Sequence, residues 1–386
     1  MRSARFAFLP PHIGVFVSSL LLSAPLLAQQ PVLRGSWLWV TTGEQGWDNN
    51  VLYVADSVAT KDVIQRINTT LQITKVRARG SLTLLGNGAA LFYGKAKLLN
   101  TISYNFSAAG TYKLGARTNA LASASYGRQL VGEVTGTAAN PLLRRALQRT
   151  LSTIGGVEYR LSPFMTGTVG ATYSKVTFET PGLIPGTNIG GNVALKRRFR
   201  TRGSVALLAD ISQGNALGVP LQTQTLAAAW QPLFRSLRSV QFDFRGGMTR
   251  SVNASNPAVF SPTGSVIVSD TIGKGVLTVG ATRSVSQGFG LGALLVTTAE
   301  AASYIFQARR GNIVTLSASN SSSKSTGGPI GAAVPLRARG LSATVRRVFR
   351  NGITIGGGTA YRFRDDVVRA TGYAGQLQAG FALGSR

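Results

Sequence analysis

Apolar and polar residues alternate strictly in Val240-Gln241-Phe242-Asp243-Phe244-Arg245 and in Ile102-Ser103-Tyr104-Asn105-Phe106-Ser107. Leu341-Ser342-Ala343-Thr344-Val345-Arg346 repeats the pattern, and Ile353-Thr354-Ile355-Gly356 and Gly375-Gln376-Leu377-Gln378 carry shorter forms of it. Successive side chains of a strand point to opposite faces, so each run predicts a strand that is apolar on one side and polar or small on the other. The predicted strands are about 10–13 residues long. Strands of soluble sheets are usually about 5–6 residues, and a tilted strand needs about 9–11 to cross a bilayer.

Two kinds of connection separate the runs. Short basic turns centre near residues 78, 115, 163, 200, 236, 272, 310 and 350, as in Arg77-Ala78-Arg79-Gly80 and Arg350-Asn351-Gly352. Successive centres lie 36 to 48 residues apart, room for one strand, one longer loop and a returning strand. The longer loops are rich in Gly, Asn, Pro and Ser, and are expected at 251–264 and 319–335. The widest interval holds Pro141-Leu142-Leu143-Arg144-Arg145-Ala146-Leu147-Gln148-Arg149, which suits a short basic helix on a loop.

Eight turns join sixteen strands, and one more at each end, near 33–42 and 370–383, makes eighteen. Sixteen is the lower bound of this count. An even number returns both termini to one side, as single-chain bacterial barrels require. The expected architecture is therefore all-β, a transmembrane antiparallel up-and-down barrel with short turns on the periplasmic side. A soluble sandwich would place Phe242, Phe244, Tyr104, Phe106, Ile353 and Ile355 in water, where such patches aggregate. In lipid they form the wall, and closure satisfies every backbone group. Tyr112, Tyr173, Tyr361 and Phe363 near strand ends suit interfacial girdles. Trp37 and Trp39 share a face and read as part of that belt, with sugar binding as the other option.

Composition narrows the class. Only 14% of residues are charged, with no Cys, against about 25% charged in an average globular chain. Residues 1–28 read as a cleaved signal peptide: Arg2 and Arg5 precede an apolar stretch that ends at Ala28, with Ala24 as the alternative cleavage point. Residues 29–386 then form one barrel domain, with no apolar run of the about 20 residues a spanning helix needs. The formal charge is +28, and loss of Arg2 and Arg5 leaves 28 − 2 = +26. In a secreted chain this favours lipopolysaccharide, anionic solutes or acidic polysaccharide as partners, and not nucleic acid. Outer-membrane lipid and the barrel-assembly machinery are the other expected partners, and the oligomeric state stays open.

Catalytic chemistry is poorly supplied. The one histidine, His12, lies in the leader. Without imidazole or thiol, neither a Ser-His nor a Cys-His nucleophile can be assembled, and the usual zinc ligands are missing. Asp365-Asp366 is the one adjacent pair among 13 acidic residues; beside Arg362, Arg364 and Arg369 it reads as a solvated loop. Gly356-Gly357-Gly358 lies in a strand pattern with no helix after it, so it relieves crowding and does not cradle phosphate. No enzyme, cofactor or metal site is expected.

The inward faces carry the functional expectation. If Phe242 and Phe244 face lipid, then Gln241, Asp243 and Arg245 face the lumen. The same parity turns Lys113, Arg346, Arg362, Arg364, Gln376 and Gln378 inward. A lumen richer in Arg than in carboxylates favours anions. Arg at the periplasmic rim, as at 196–202, would instead anchor the barrel. About eighteen strands enclose an aqueous channel, so the expectation is a porin-like channel in the outer membrane for small anionic or sugar-like solutes.

Gly46-Trp47-Asp48-Asn49-Asn50-Val51, the Thr/Ser/Gly/Ala-rich strands and Thr282-Arg283-Ser284-Val285-Ser286-Gln287-Gly288-Phe289-Gly290 resemble β-barrel porins associated with exopolysaccharide loci of Gram-negative bacteria. The resemblance spans most of residues 29–386 through diffuse motifs. It implies an outer-membrane barrel without assigned chemistry, and an alternative role in exopolysaccharide export or surface attachment without free diffusion. The chain departs from such barrels at its end, Phe381-Ala382-Leu383-Gly384-Ser385-Arg386, which lacks the terminal aromatic residue read during insertion.

Overall fold

A computed structural model describes residues 36–51, 59–131, 146–179, 181–199, 203–216, 219–234, 239–253, 256–288, 293–308, 311–326, 336–349, 351–365 and 370–384. The leader expected at 1–28 lies outside them, as do His12 and Asp366.

Eighteen strands follow one another. The first six are β1 (Ser36–Asp48), β2 (Asp62–Arg77), β3 (Gly80–Tyr93), β4 (Thr101–Lys113), β5 (Thr118–Val131) and β6 (Ala146–Ser162). Next come β7 (Met165–Phe178), β8 (Gly186–Phe199), β9 (Gly203–Ala216), β10 (Val219–Pro232), β11 (Gln241–Asn253) and β12 (Asn256–Ile272). The last are β13 (Gly275–Gly288), β14 (Ala293–Gln307), β15 (Asn312–Thr326), β16 (Leu336–Val348), β17 (Ile353–Asp365) and β18 (Ala370–Gly384). Each pairs antiparallel with its sequence neighbours, and β1 pairs with β18 from Leu38↔Gly384 to Asp48↔Ala374, which closes the barrel.

The strands run 13 to 17 residues, longer than expected, because small polar residues taken for loop continue the ladders. Of residues 251–264, 251–253 and 256–264 are strand, with a register shift between Ser251 and Asn253, and 254–255 lie outside the described residues. Residues 319–326 belong to β15, and Ala146–Arg149, expected in a basic helix, open β6; 141–145 and 327–335 lie outside the described residues. The first strand is described from Ser36; residues 33–35 of the stretch expected at 33–42 lie outside the described residues. Turn chemistry is as expected at 78 and 273, and Gly273, Gly311 and Gly352 take positive φ in the short turns.

The register sorts the two faces. Outward rows hold Trp230 stacked on Phe244, Tyr104 beside Tyr126, Tyr361 beside Tyr373, and Trp39 against Phe381. Exposed Ile102, Phe106, Leu226, Ile355 and Leu377 fill the belt between them. Hydrophobic side chains left in the open on a closed barrel are what a lipid-facing wall requires.

One seam and one gap stand out. Where β1 ends, Asp48 is 2% and Asn50 0% exposed. Asp48 Oδ1 accepts the Asn50 N–H (2.9 Å), Asn50 Nδ2 donates to the Thr371 carbonyl (3.2 Å), and Asn49 exchanges bonds with the Tyr373 backbone (3.1 and 2.6 Å). The Gly46–Val51 motif thus fastens β1 to β18 at the loop-side mouth. On the far wall, β12 and β13 pair only from Ile272↔Gly275 up to Gly264↔Arg283. Above that point each continues on its other neighbour alone, among the described residues. Pro262 has no N–H to give the ladder, and its carbonyl is taken instead by Arg283 Nε at 3.1 Å.

Candidate functional site: the inward face

Because the aromatic rows alternate with the second set of side chains, that second set faces the barrel interior. Cross-strand register gives the nine candidate residues the parity of this second set. They do not form one cluster. Lys113 and Gln241 end their strands at the short-turn rim. Arg362 and Arg364 lie near the loop-side end of β17.

Two charged patches result. On β8–β11, Lys196 Nζ reaches Gln231 Oε1 (3.4 Å), and Gln231 Nε2 donates to Asp243 Oδ2 (2.8 Å). Beside them Arg245 Nη2 donates to Asp210 Oδ2 at 3.2 Å. On β16–β2, cross-strand pairing sets Arg346, Gly356, Gln378, Glu44 and Arg66 in one row. A Cβ on Gly356 would come within 2.8 Å of Gln378 Nε2, so glycine here leaves the amide its place. Arg66 stands 4.0 Å from Glu44, and Arg362 3.5 Å from Asp48. Gln376 is exposed and faces Gly46 across the seam.

These pairings change the expected electrostatics. Arg245 and Arg362 each have a carboxylate partner, so they contribute less free positive charge than their number suggested. Arg346 has no ion pair among the described residues, and it carries more of any anion preference.

Between the patches the inward wall is neutral and hydroxyl-rich. Along β12–β15 the inward positions among the described residues carry no charge: they hold Ser, Thr, Gly and aliphatic side chains, with the amide of Gln307 at the short-turn end of β14. Cross-strand hydroxyl pairs recur around this face: Ser212–Thr223 (2.7 Å), Thr225–Thr249 (2.8 Å), Ser269–Thr278 (3.1 Å), Thr297–Ser323 (2.9 Å) and Ser317–Ser342 (2.6 Å). Sequence reasoning singled out none of them. The signal was there in Ser317, Ser319, Ser321 and Ser323, which recur at a period of two.

No protein-family model and no curated protein matches the chain. Solved structures do. OccK2 (OpdF) of Pseudomonas aeruginosa, in complex with glucuronate, matches with a TM-score of 0.51 at 11% identity, over 91% of this chain and 98% of that one. A BenF-like porin from Pseudomonas fluorescens Pf-5 matches with a TM-score of 0.51 at 10% identity, over 91% and 99%. At such identities the likeness is one of fold: the chain has the barrel architecture of outer-membrane porins.

Proposed function

We propose that the protein is an outer-membrane channel through which small anionic or sugar-like solutes diffuse passively. One observation carries the reading: a closed ring of eighteen strands with aromatic and aliphatic side chains outside and hydroxyls, amides and charged pairs inside. A ring of that size has room for water within it. Arg346 and Lys113 supply positive charge without a carboxylate partner among the described residues, and the hydroxyl rows offer neutral partners for a polyol. The glucuronate bound by OccK2 is a sugar acid, a solute that both kinds of surface would suit. Residues 1–28 act as the removable leader, with insertion left to the barrel-assembly machinery. Lipopolysaccharide meets the outward basic side chains. The inward face holds no imidazole or thiol, and the chain works as a conduit and not as an enzyme.

A second reading, a barrel for exopolysaccharide export or attachment, is favoured by the hydroxyl wall of β12–β15 and by the family resemblance of the Gly46–Val51 motif. Swelling of liposomes carrying the protein separates the two. Swelling in small sugars and sugar acids supports diffusion. Binding of long polysaccharide without swelling supports attachment.

A further inference from the structure

The outward wall is not apolar throughout. Following hydrogen-bonded partners from strand to strand traces one outward line: Trp230, Phe244, Val266, Ala281, Glu300, Asn320, Arg339, Phe363 and Thr371. Strands in a barrel are tilted, so this line crosses the wall obliquely. It begins in the aromatic residues at the short-turn end of β10 and finishes at the loop-side end of β18. Glu300, on β14, is its midpoint. Asn320 Nδ2 donates to Glu300 Oε2 at 3.2 Å, Arg339 leans over Phe363, and Arg283 stands two residues above Ala281 on β13. A carboxylate at mid-strand on β14 and two guanidinium groups nearer the loop-side end therefore interrupt the greasy belt, and of the two guanidinium groups Arg283 is held by the Pro262 carbonyl (3.1 Å).

Two further features share this wall. Directly below the polar line, Ala302, Ala318 and Ala343 floor a groove of about 480 Å³ walled by Tyr304, Leu316 and Leu341. Above it, β12 and β13 part company among the described residues. We propose that the β13–β16 wall is an interface with a second copy of this chain. The patch carries both signs, with Glu300 between Arg283 and Arg339. Across a two-fold axis, the acid of one copy therefore meets the bases of the other, and the two grooves meet below. Acyl chains could fill the groove but could not answer the charges.

The chain has no cysteine, so single introduced thiols report without background. Ala302→Cys, Ala318→Cys and Ala343→Cys sample the groove, and Ala108→Cys and Ala171→Cys sample the outward wall on β4 and β7. Intact outer membranes are treated with a flexible bismaleimide, and folding is verified by heat-modifiable gel mobility. The expected result is a product of doubled mass at one or more groove positions and none at the control positions. Adding Glu300→Arg to the best variant sets like charges together and lowers that product about tenfold, the effect of one interfacial charge mismatch. Absence of the doubled product at every groove position overturns the proposal. So does equal yield at the controls, an unchanged yield with Glu300→Arg, or linkage to a different protein.

Discussion

Asp48 Oδ2 stands 3.5 Å from Arg362 Nη1, joining the top of the first strand to the last hairpin inside the barrel mouth. The carboxylate is buried and also holds the Asn50 N–H. Both of its oxygens are therefore engaged at the seam, the one junction in the barrel made by strands distant in sequence.

Removing this carboxylate should loosen the seam in two steps. Asp48→Asn discards the charge but keeps an oxygen for the Asn50 N–H. Asp48→Ala loses both, and leaves Arg362 facing a gap. Breaking a buried charged contact costs about 3–5 kcal/mol when the survivor stays dry; partial exposure of Arg362 brings the expected loss to about 2–3 kcal/mol for Asp48→Ala. The temperature at which the compact gel band converts to the unfolded one should fall in the order wild type, Asp48→Asn, Asp48→Ala. Equal temperatures for all three would contradict the assigned role.

Beyond the end of β7, Glu179 takes Arg128 in a bidentate contact (2.7 and 2.8 Å) and Arg149 at 2.8 Å. The hydrogen bonds from Arg128, then those from Arg149, hold its carboxyl down to about 2, against an ordinary 4.5. A depressed pKa stabilises the folded form above about pH 4.5, and that stabilisation fades as pH falls through about 2. Glu179→Gln lacks it at every pH. The gap in melting temperature between wild type and Glu179→Gln should be constant above about pH 5 and shrink toward zero near pH 2. A gap that persists to pH 2 would exclude the ion-paired arrangement.

Gly203 opens β9 at φ 96°, and a Cβ there would run into the Gln231 carbonyl oxygen. Gly203→Ala should cost about 2 kcal/mol or more and reduce the folded fraction in the membrane. Gly115, also in a short turn, has nothing within 4 Å of a built Cβ. Gly115→Ala should assemble normally. The pair separates a steric requirement from a general intolerance of turn substitutions.

Charge substitutions on the inward face should move ion selectivity in opposite directions. Arg346→Gln removes positive charge that no carboxylate offsets among the described residues, and should shift the reversal potential in a salt gradient toward cations. Asp243→Asn removes the negative end of the Lys196–Gln231 chain and should shift it toward anions. Arg245→Gln should have a smaller effect than Arg346→Gln, because Asp210 already offsets Arg245. If all three leave the reversal potential unchanged, these side chains do not face the ion path.

Much of the fold was readable before any coordinates. A period of two over Val240–Arg245 and Leu341–Arg346 fixes which side chains share a face, and the basic turns mark where each hairpin reverses. Strand ends were less visible. Ser251, Ser261 and Ser323 read as loop residues by composition, yet they are buried strand positions, because a hydroxyl can face a polar interior as readily as solvent. Ion pairs such as Asp48–Arg362 and Asp210–Arg245 join residues far apart in sequence, and only cross-strand register decides which carboxylate meets which guanidinium. Glu300 and Arg339 were equally opaque: outward parity alone does not predict that β14 and β16, with β15 between them, will place their charges on one line.

The central claim is a water-filled passage inside a lipid-facing wall. Its most direct test is current through the purified protein, residues 29–386, in a planar bilayer. The account predicts discrete, reproducible conductance steps with a reversal potential on the anion side, blocked in part by a sugar acid. A barrel that inserts with normal heat-modifiable mobility but passes no current, or one that prefers cations, would contradict it.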